Sequence, residues 1–472
     1  MNDASRLTDP ELVRLHRLAR AVAAEPIEAD ERRAALRCLI DAVGCALSAT
    51  REPVVTRVVD AAVRESAGSA TGYSLIGHSR RVSLSSALLC NAAAIRAQDL
   101  NDVFSRRNNN HPSESVIPIA LAAAERAGMT GAELVDAVAI GYRLSLTIGE
   151  CWSGLLGRGW APAATLGQIS STAFIAHLLG VDHDVAVDAM ALSVLTSPVL
   201  AAVFRGELSD AKSLVSGMAA QTAWRSIILA QSGVTGPRDA LEASGGFDEL
   251  IGGTADIPED ASGTVDARSI WLKAHPAVFN VHAAIDAAIA VSRELTPDEL
   301  THLGGGDATI EVRVPEKVAG MSASPARWTP ATREAAQFSL PHCTAVALLH
   351  GSCGLEQLEA SLGSDAGRTR ALIDRMTVEP DARWSGYSGA EVSVVLSDGR
   401  TVRHTVDHAK GSPENPLDDR ELEAKFTSLV ATPHGEQFAK SALAAVAGAE
   451  RAEDAQGLLR ALVAPARERG SA

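Results

Sequence analysis

From about residue 9 to residue 270 the chain is a succession of alanine-rich segments whose apolar residues recur at helical spacing. ERRAALRCLIDAVGCALSA and GAELVDAVAIGYRLSLTIGE are examples, and loops containing glycine or proline separate such segments. Their apolar faces are wide and rich in Ala and Gly, which is typical of helices packed closely on several sides. The pattern therefore predicts a large all-helical domain.

Near residue 271 the pattern changes, and alternating segments typical of β-strands appear. These are ATIEVRVP (308–315), RMTVEP (375–380) and EVSVVLSDGRTVRHTVD (391–407). The last contains Asp398-Gly399 between two alternating runs, which indicates a hairpin. Helices are predicted among these strands over 281–295 and over much of 331–362.

After Lys410 the pattern is helical again. We therefore predict a mainly α protein with a large all-helical domain built from both chain ends, residues 1–270 and 408–472. A smaller α+β lid domain, residues 271–407, is inserted into it.

Composition excludes several classes of function. A formal charge of -15 opposes binding to nucleic acid and to anionic membranes. No apolar run reaches the roughly 18 residues that span a bilayer, and the charged start MNDASRLTDPELVRLHRLAR does not resemble a signal peptide. The six cysteines form no C-x-x-C pair. We expect a cytoplasmic protein with no nucleic-acid partner, no membrane contact and no metal site.

The stretch RRNNNHPSES, residues 106–115, concentrates polar side chains immediately before a predicted helix. A solvated loop is one interpretation, and an active-site rim is the one we favour. Polar residues in other loops or at predicted helix starts add candidates, because a helix start favours a bound carboxylate. The set is Asp99, Asp102, His111, Arg158, Lys212, Lys273, His275, His282 and His342.

Six blocks of the sequence resemble the MmgE/PrpD family of 2-methylcitrate dehydratases, cis-aconitate decarboxylases and iminodisuccinate epimerases. In chain order they are HPSESVIPIALAAAE, RGWAPAATLG, GVTGPRDALE, KAHPAVFNVHAAID, AQFSLPHCTAVALLHG and GSPENPLDDRELEAKF. The resemblance covers nearly the whole chain. It implies a homodimer, catalysis without metal or organic cofactor, and an active site between the two domains.

Matched residue by residue, the resemblance implies an active site that includes Asp99, His111, Lys212, Lys273 and His342, the last at a position where relatives usually have Tyr. Removal of a proton from a carbon next to a carboxylate requires a base and nearby cations. We assign His111 as base or acid, Lys212 and Lys273 as carboxylate ligands, and Asp99 as orienting group or proton partner. The further candidates for substrate binding are Arg106, Arg158, Ser113, Asp102, His275 and His282, and the last of these is also a candidate helix cap.

One block departs from the family pattern. Relatives have His-Pro-Thr where this chain has Ala161-Pro162-Ala163, so one expected catalytic histidine is absent. We predict a cofactor-independent lyase that acts on a di- or tricarboxylate. An epimerase that uses the same proton abstraction, and a non-catalytic carboxylate-binding homologue, are the alternatives.

Overall fold

The computed structural model describes residues 9–66, 72–205, 208–303 and 308–464. In chain order its α-helices are α1 (Glu11–Ala24), α2 (Ala29–Ser48), α3 (Pro53–Glu65), α4 (Leu84–Arg96), α5 (Ser113–Ala127), α6 (Gly131–Gly149), α7 (Pro162–Leu178), α8 (His183–Val194), α9 (Ala202–Arg205), α10 (Val215–Gln231), α11 (Phe247–Ile251), α12 (His282–Glu294), α13 (Pro297–His302), α14 (Glu316–Ser322), α15 (Arg333–Ala336), α16 (Leu340–His350), α17 (Leu355–Leu362), α18 (Ala366–Ile373), α19 (Asp419–His434), α20 (Glu436–Ala447) and α21 (Ala455–Ala461). The predicted mainly α class is confirmed.

The strands are short. They are β1 (Tyr73–Leu75), β2 (His78–Val82), β3 (Phe104–Ser105), β4 (Asn109–Asn110), β5 (Thr309–Val314), β6 (Met376–Pro380), β7 (Ala390–Val395) and β8 (Thr401–Val406). The first four form two small antiparallel hairpins, and the others form one sheet in the order β6-β5-β7-β8.

The chain divides into two compact units. The larger unit comprises Met1–Ala97, Asn101–Ile270 and Asp419–Ala472, and the smaller comprises Gln98–Leu100 and Trp271–Asp418. In the larger unit, every residue of α7 from Pro162 to Ala176 is buried. A Cβ on Gly141 of α6 would lie 2.5 Å from a Val116 methyl carbon, so glycine at this position lets α5 and α6 approach closely.

In the smaller unit, α12 and α16 pack together and α12 also contacts β7 and β8. Strand β5 pairs parallel to β6 and antiparallel to β7, and β7 and β8 form the hairpin predicted from Asp398-Gly399. Gly399 has φ +86°, a conformation that glycine adopts readily.

The prediction of a single helix over much of 331–362 is wrong, because the structure has three helices there, α15, α16 and α17. The Ser339 hydroxyl accepts a hydrogen bond from the His342 amide at 3.1 Å and thereby starts α16. Gly351, at φ +63°, ends that helix.

The smaller unit extends to Asp418, beyond the boundary expected at residue 407. The Leu272 amide donates to the Gly411 carbonyl at 3.0 Å, and the Lys410 amide donates to the Asp286 carboxylate at 2.7 Å. These bonds hold the segment before α19 against this unit. Within the described ranges, no helix combines the length and the apolar character that a membrane span needs.

Candidate active site

A buried ion pair in the smaller unit joins residues that are far apart in the sequence. The Lys273 ammonium donates to the Asp99 carboxylate at 2.5 Å and to the Asp99 carbonyl at 3.0 Å. The two side chains are 1% and 2% exposed. A buried ion pair contributes little net stability, since desolvation offsets attraction, but removal of one partner leaves an uncompensated charge.

Asp99 has an unusual backbone conformation. Its φ is +55°, and across the described ranges it is the one residue other than glycine with positive φ. Asp tolerates this conformation better than most residues, but the strain is on the order of 1 kcal/mol or more. Strained backbone of this kind is concentrated at functional sites, and here it occurs in the residue that contacts the Lys273 ammonium.

His282, at the start of α12, is fully buried. Its Nε2 lies 3.2 Å from the Ala277 carbonyl, an acceptor only, so Nε2 carries the proton and the neutral ring has its lone pair on Nδ1. That Nδ1 is buried and has no hydrogen-bond partner among the described residues. Burial, followed by His275 and Lys273, holds the His282 pKa well below 6.5, so the ring is neutral and the Nδ1 lone pair carries no proton.

Two further groups surround the His282 ring. The Trp271 indole lies edge-on at 5.7 Å between centroids, and its Nε1 also lacks a hydrogen-bond partner in the described part of the chain. His275 lies 5.2 Å away, and its Nε2 is 2.8 Å from the Asp286 carboxylate. His275, expected to bind substrate, is thus positioned by Asp286. By contrast, His282 Nδ1 and Nε1 of the neighbouring Trp271 have no hydrogen-bond partner among the described residues.

His342 is buried in the packing of α16 and α17. Its Nε2 lies 2.7 Å from the Ser361 hydroxyl, which donates its own proton to the Leu358 carbonyl at 2.7 Å. His342 Nε2 is therefore the donor in the first contact. Burial lowers the His342 pKa to about 4. This hydrogen bond to Ser361 joins α16 to α17 through a ring nitrogen of a residue that the sequence predicts to be catalytic.

In the larger unit, half-buried His111 precedes α5. Its Nδ1 lies 2.6 Å from the Asp102 carbonyl, which can only accept, so Nδ1 carries the proton. In the neutral ring the lone pair then resides on Nε2. This is the tautomer that a general base at His111 requires.

Asp102 and Ser113, both expected to bind substrate, organise the start of α5. The Asp102 carboxylate accepts hydrogen bonds at 2.6 Å from the Ser113 hydroxyl and at 2.6 Å from the Tyr142 hydroxyl. Pro112, at the N-cap of α5, offers no side-chain cap, and Asp102 also accepts from the Ser113 amide at 3.3 Å. Because the same residue binds His111 through its carbonyl, this network positions the histidine.

We expect Asp102→Asn to flatten the pH dependence of stability. Burial raises the Asp102 pKa from 3.8 to about 6. A raised carboxyl pKa stabilises the folded state fully below pH about 4, and this contribution is lost as pH rises through about 6. The loss is on the order of 3 kcal/mol. Urea unfolding of the wild type and of Asp102→Asn between pH 4.5 and 8 measures this loss. If the difference between their free energies of unfolding is constant across this range, the raised pKa of Asp102 is contradicted.

The RRNNN segment, residues 106–110, comprises the turn between β3 and β4 and the strand β4 itself. The Asn108 amide donates to the Trp152 carbonyl at 2.7 Å and its oxygen accepts from the Leu155 amide at 3.2 Å. The Asn110 amide donates to the Ser145 carbonyl at 3.2 Å. These two asparagines hold the hairpin to its own unit, so their amides are not available for the substrate contact expected of a rim.

The arginines of this hairpin differ in their partners. Arg107 donates to the Asp256 carboxylate at 2.9 Å and to the Glu150 carbonyl at 3.0 Å. Arg106 is 61% exposed, and its nearest carboxylate oxygen, on Glu150, is 3.8 Å away. Arg106 therefore remains the better candidate for a ligand contact.

The other expected residues of the larger unit lie in separate loops. Lys212 is buried in the short 3-10 turn Asp210–Ser213. Arg158 is exposed and donates to the Ser153 carbonyl at 3.0 Å. A Cβ on Gly253 would lie 2.6 Å from the Arg158 guanidinium, so glycine at that position makes room for it.

Ala161, where the resemblance leads one to expect histidine, is the N-cap residue of α7 and is fully buried. Its methyl group cannot carry a proton. Among the described residues, no group of three or more His, Cys, Asp or Glu side chains is arranged to hold a metal ion. All six cysteines are buried, and none of them forms a disulfide bond.

Comparison with known proteins gives matches along both parts of the chain. Residues 13–260 match the MmgE/PrpD N-terminal domain and residues 275–450 match the MmgE/PrpD C-terminal domain. Cis-aconitate decarboxylase of Mus musculus is 24% identical over 395 residues, which cover 80% of this chain and 78% of the relative. Cis-aconitate decarboxylase of Homo sapiens is 24% identical over 392 residues, which cover 80% of this chain and 79% of the relative. The 2-methylcitrate dehydratase of Cupriavidus necator is 25% identical over 394 residues, covering 78% and 79%.

Proposed function

Because this chain belongs to the MmgE/PrpD family, we propose that it is a lyase acting on a di- or tricarboxylate by removal of a proton next to a carboxylate, without a metal or organic cofactor. Relatives named for a decarboxylase and for a dehydratase support the carboxylate lyase class. The observation that carries the proposal furthest is the buried His282 Nδ1, which has no hydrogen-bond partner among the described residues and lies within electrostatic range of the Lys273 ammonium.

The chemistry makes two demands, which these two groups meet. A proton next to a carboxylate is weakly acidic, so its removal needs a base and a cation against the oxygens that take up charge. The His282 Nδ1 lone pair supplies a base, and a dianionic substrate beside it raises the pKa of the ring towards neutrality. Lys273 supplies the cation, and its burial strengthens its action on developing charge.

Asp99 holds the Lys273 side chain in place. Its carboxylate and carbonyl both bind the ammonium, which fixes the direction of the positive charge before substrate arrives. A substrate carboxylate competes with the Asp99 carboxylate for the same ammonium, while the carbonyl contact holds the lysine in position. Preorganised charge of this kind needs no reorganisation during the reaction.

His111 is proposed as the second proton carrier, which protonates the leaving group or the product carbon. Its Nδ1 is bonded to the Asp102 carbonyl, so Nε2 is the nitrogen that exchanges the proton. Lys212 is retained as a carboxylate ligand, and Arg106 and Arg158 as exposed cations that act on substrate binding.

His111→Ala should lower kcat by about 10²- to 10⁴-fold, the usual contribution of a positioned acid or base. Arg106→Ala should chiefly raise KM, because an exposed cation binds ground state and transition state about equally. Steady-state kinetics on variants with unchanged circular dichroism tests both. Full activity in folded His111→Ala would exclude the catalytic role, and an unchanged KM in Arg106→Ala would exclude the binding role.

The proposed lyase is tested by product formation. The protein is incubated with cis-aconitate, 2-methylcitrate and a panel of other di- and tricarboxylates and amino-dicarboxylates, with and without EDTA, and NMR detects new products. Loss of water, carbon dioxide or an amine from one of them, unaffected by EDTA, supports the lyase. Turnover of none identifies a non-catalytic homologue.

Ala161 favours an epimerase as the second candidate. Epimerisation removes a proton and returns it to the opposite face, so it needs no acid for a leaving group, and one expected proton carrier is absent here. Inversion at a carbon next to a carboxylate, with no elimination product, would identify this reaction.

The resemblance also leads us to propose a homodimer. Large apolar side chains are exposed in the larger unit, as is common at protein contacts. They include Leu195, Leu200, Met218, Ile228, Leu229 and Leu250. Light scattering after size exclusion should give twice the chain mass of 49.1 kDa, and a mass of one chain would contradict the dimer.

A further inference from the structure

A cavity of about 310 Å³ lies in the larger unit between α1 and the junction of α7 with α8. Alanines of α1 and α7 leave the space open, and its polar wall consists of His16, Arg20, His177, Asp182 and His183. None of these residues has a role in the reaction proposed above. A volume of this size is at the lower end of the range of small-molecule sites.

Two histidines meet at one side of this cavity. The Nδ1 atoms of His16 and His183 are 2.8 Å apart, and the ring centroids are 4.8 Å apart. A hydrogen bond between them requires one nitrogen to donate and the other to accept, so the neutral pair holds one bridging proton. Burial, then His183 and Arg20, lowers the His16 pKa to about 4, so the His16 ring is neutral near pH 7.

Arg20 supplies a cation at the same cavity. Two other arginines of α1 have partners, since Arg14 donates to the Ile257 carbonyl and Arg17 pairs with Asp9 at 2.7 Å. Arg20 makes no ion pair or hydrogen bond with any residue in the described ranges, although the chain has a formal charge of -15. Arg20 is exposed and lines the same cavity as the three imidazoles, so its guanidinium is available to an oxyanion.

We propose that this cavity binds a small oxyanion, a carboxylate or a phosphate, together with one proton taken up by the His16–His183 pair. Near pH 7 the charges of Arg20 and Asp182 cancel across the cavity, and burial keeps the His16 and His177 rings neutral. A second proton on the pair makes both Nδ1 atoms donors, which breaks the hydrogen bond between them and makes the cavity positive. An anion bound in the cavity offsets the resulting repulsion. Arg20, His177, Asp182 and His183 are the titratable and charged groups lining the cavity beside His16.

A metal ion suits the site less well. It would need the bridging proton to leave, and it would lie beside the Arg20 cation. Only two imidazole nitrogens converge, and within the described residues no third His, Cys, Asp or Glu completes a ligand set.

Calorimetric titration tests the proposal with inorganic phosphate and, separately, with citrate, at pH 6 and pH 8 and in two buffers of different ionisation heat. Uptake of one proton predicts binding up to about tenfold tighter per pH unit as pH falls, and a binding heat that depends on the buffer. Arg20→Ala should weaken binding at least about tenfold, since a charge-assisted hydrogen bond is lost. Arg17→Ala, an exposed arginine of the same helix, should bind as wild type does.

His183→Gln should abolish the pH dependence, because the pair can no longer take up a proton. Comparison of phosphate with citrate decides which kind of oxyanion the cavity prefers. Failure of both anions to bind at pH 6 would overturn the proposal, as would unchanged affinity in Arg20→Ala or equal affinity at pH 6 and pH 8. Binding of Zn²⁺ that is lost in His16→Gln, without anion binding, would replace it with a metal site.

Discussion

Lys273→Met is expected to lower kcat/KM by at least about 10²- to 10³-fold, the loss seen when one preorganised charge-stabilising group is removed. The same change should destabilise the protein by about 3 to 5 kcal/mol, because it leaves the Asp99 carboxylate buried without its partner. Both side chains are almost fully buried, so solvent screens neither effect strongly. Kinetics and urea unfolding of the same preparation measure the two losses.

A double variant separates chemistry from folding. Lys273→Met combined with Asp99→Asn removes both charges, so most of the stability should return while activity stays low. Activity close to wild type in the double variant would contradict a chemical role for Lys273. Stability that does not recover would show that the ammonium contributes to the fold beyond its neutralisation of Asp99.

His282→Gln is expected to lower kcat by about 10²- to 10⁴-fold with little change in KM. The glutamine amide can still donate to the Ala277 carbonyl, as His282 Nε2 does, but it has no nitrogen lone pair that accepts a proton. Because the His282 pKa lies well below 6.5, this group should cause no fall in kcat/KM between pH 8 and pH 6.5.

His342→Gln is the matched control for that variant. His342 is also buried, its Nε2 also donates one hydrogen bond, and its ring makes a structural contact with Ser361. We expect it to retain activity within a few fold of wild type. An equal loss in both variants would point to disturbed packing, and full activity in His282→Gln would exclude it as the base.

Local patterns in the sequence were sufficient for the elements that short-range chemistry determines. The hairpin at Asp398-Gly399 was predicted from turn residues that lie between two segments of alternating apolar and polar residues. The helices before residue 270 were predicted from the helical spacing of apolar residues. The prediction of one helix over 331–362 was wrong because the helical spacing of apolar residues continues across Ser339 and Gly351. Ser339 caps the start of α16, and Gly351, in a left-handed conformation, ends it. Apolar spacing alone does not register such breaks.

The candidate site depended on contacts that no local pattern contains. Lys273 and Asp99 are 174 residues apart, and neither their pairing nor the positive φ of Asp99 has a local signature beyond the tolerance of Asp for that conformation. Sequence favoured a capping role for His282, since it stands at a helix start. Its importance emerges only from the unsatisfied Nδ1, a property of the folded surroundings. Likewise, the sequence of the RRNNN run alone indicates a ligand contact. The structure shows that Asn108 and Asn110 bond to backbone groups of their own unit.

The proton abstraction itself is tested most directly by exchange in deuterium oxide. The protein is incubated with di- and tricarboxylates and amino-dicarboxylates, and NMR follows the loss of the proton on the carbon next to a carboxylate. We predict exchange or conversion of at least one compound by the wild type, unaffected by EDTA, and lost in His282→Gln and in the double variant of Lys273 and Asp99. Exchange that persists undiminished in both variants, or that EDTA abolishes and a divalent ion restores, would contradict a cofactor-free proton abstraction by His282 and Lys273.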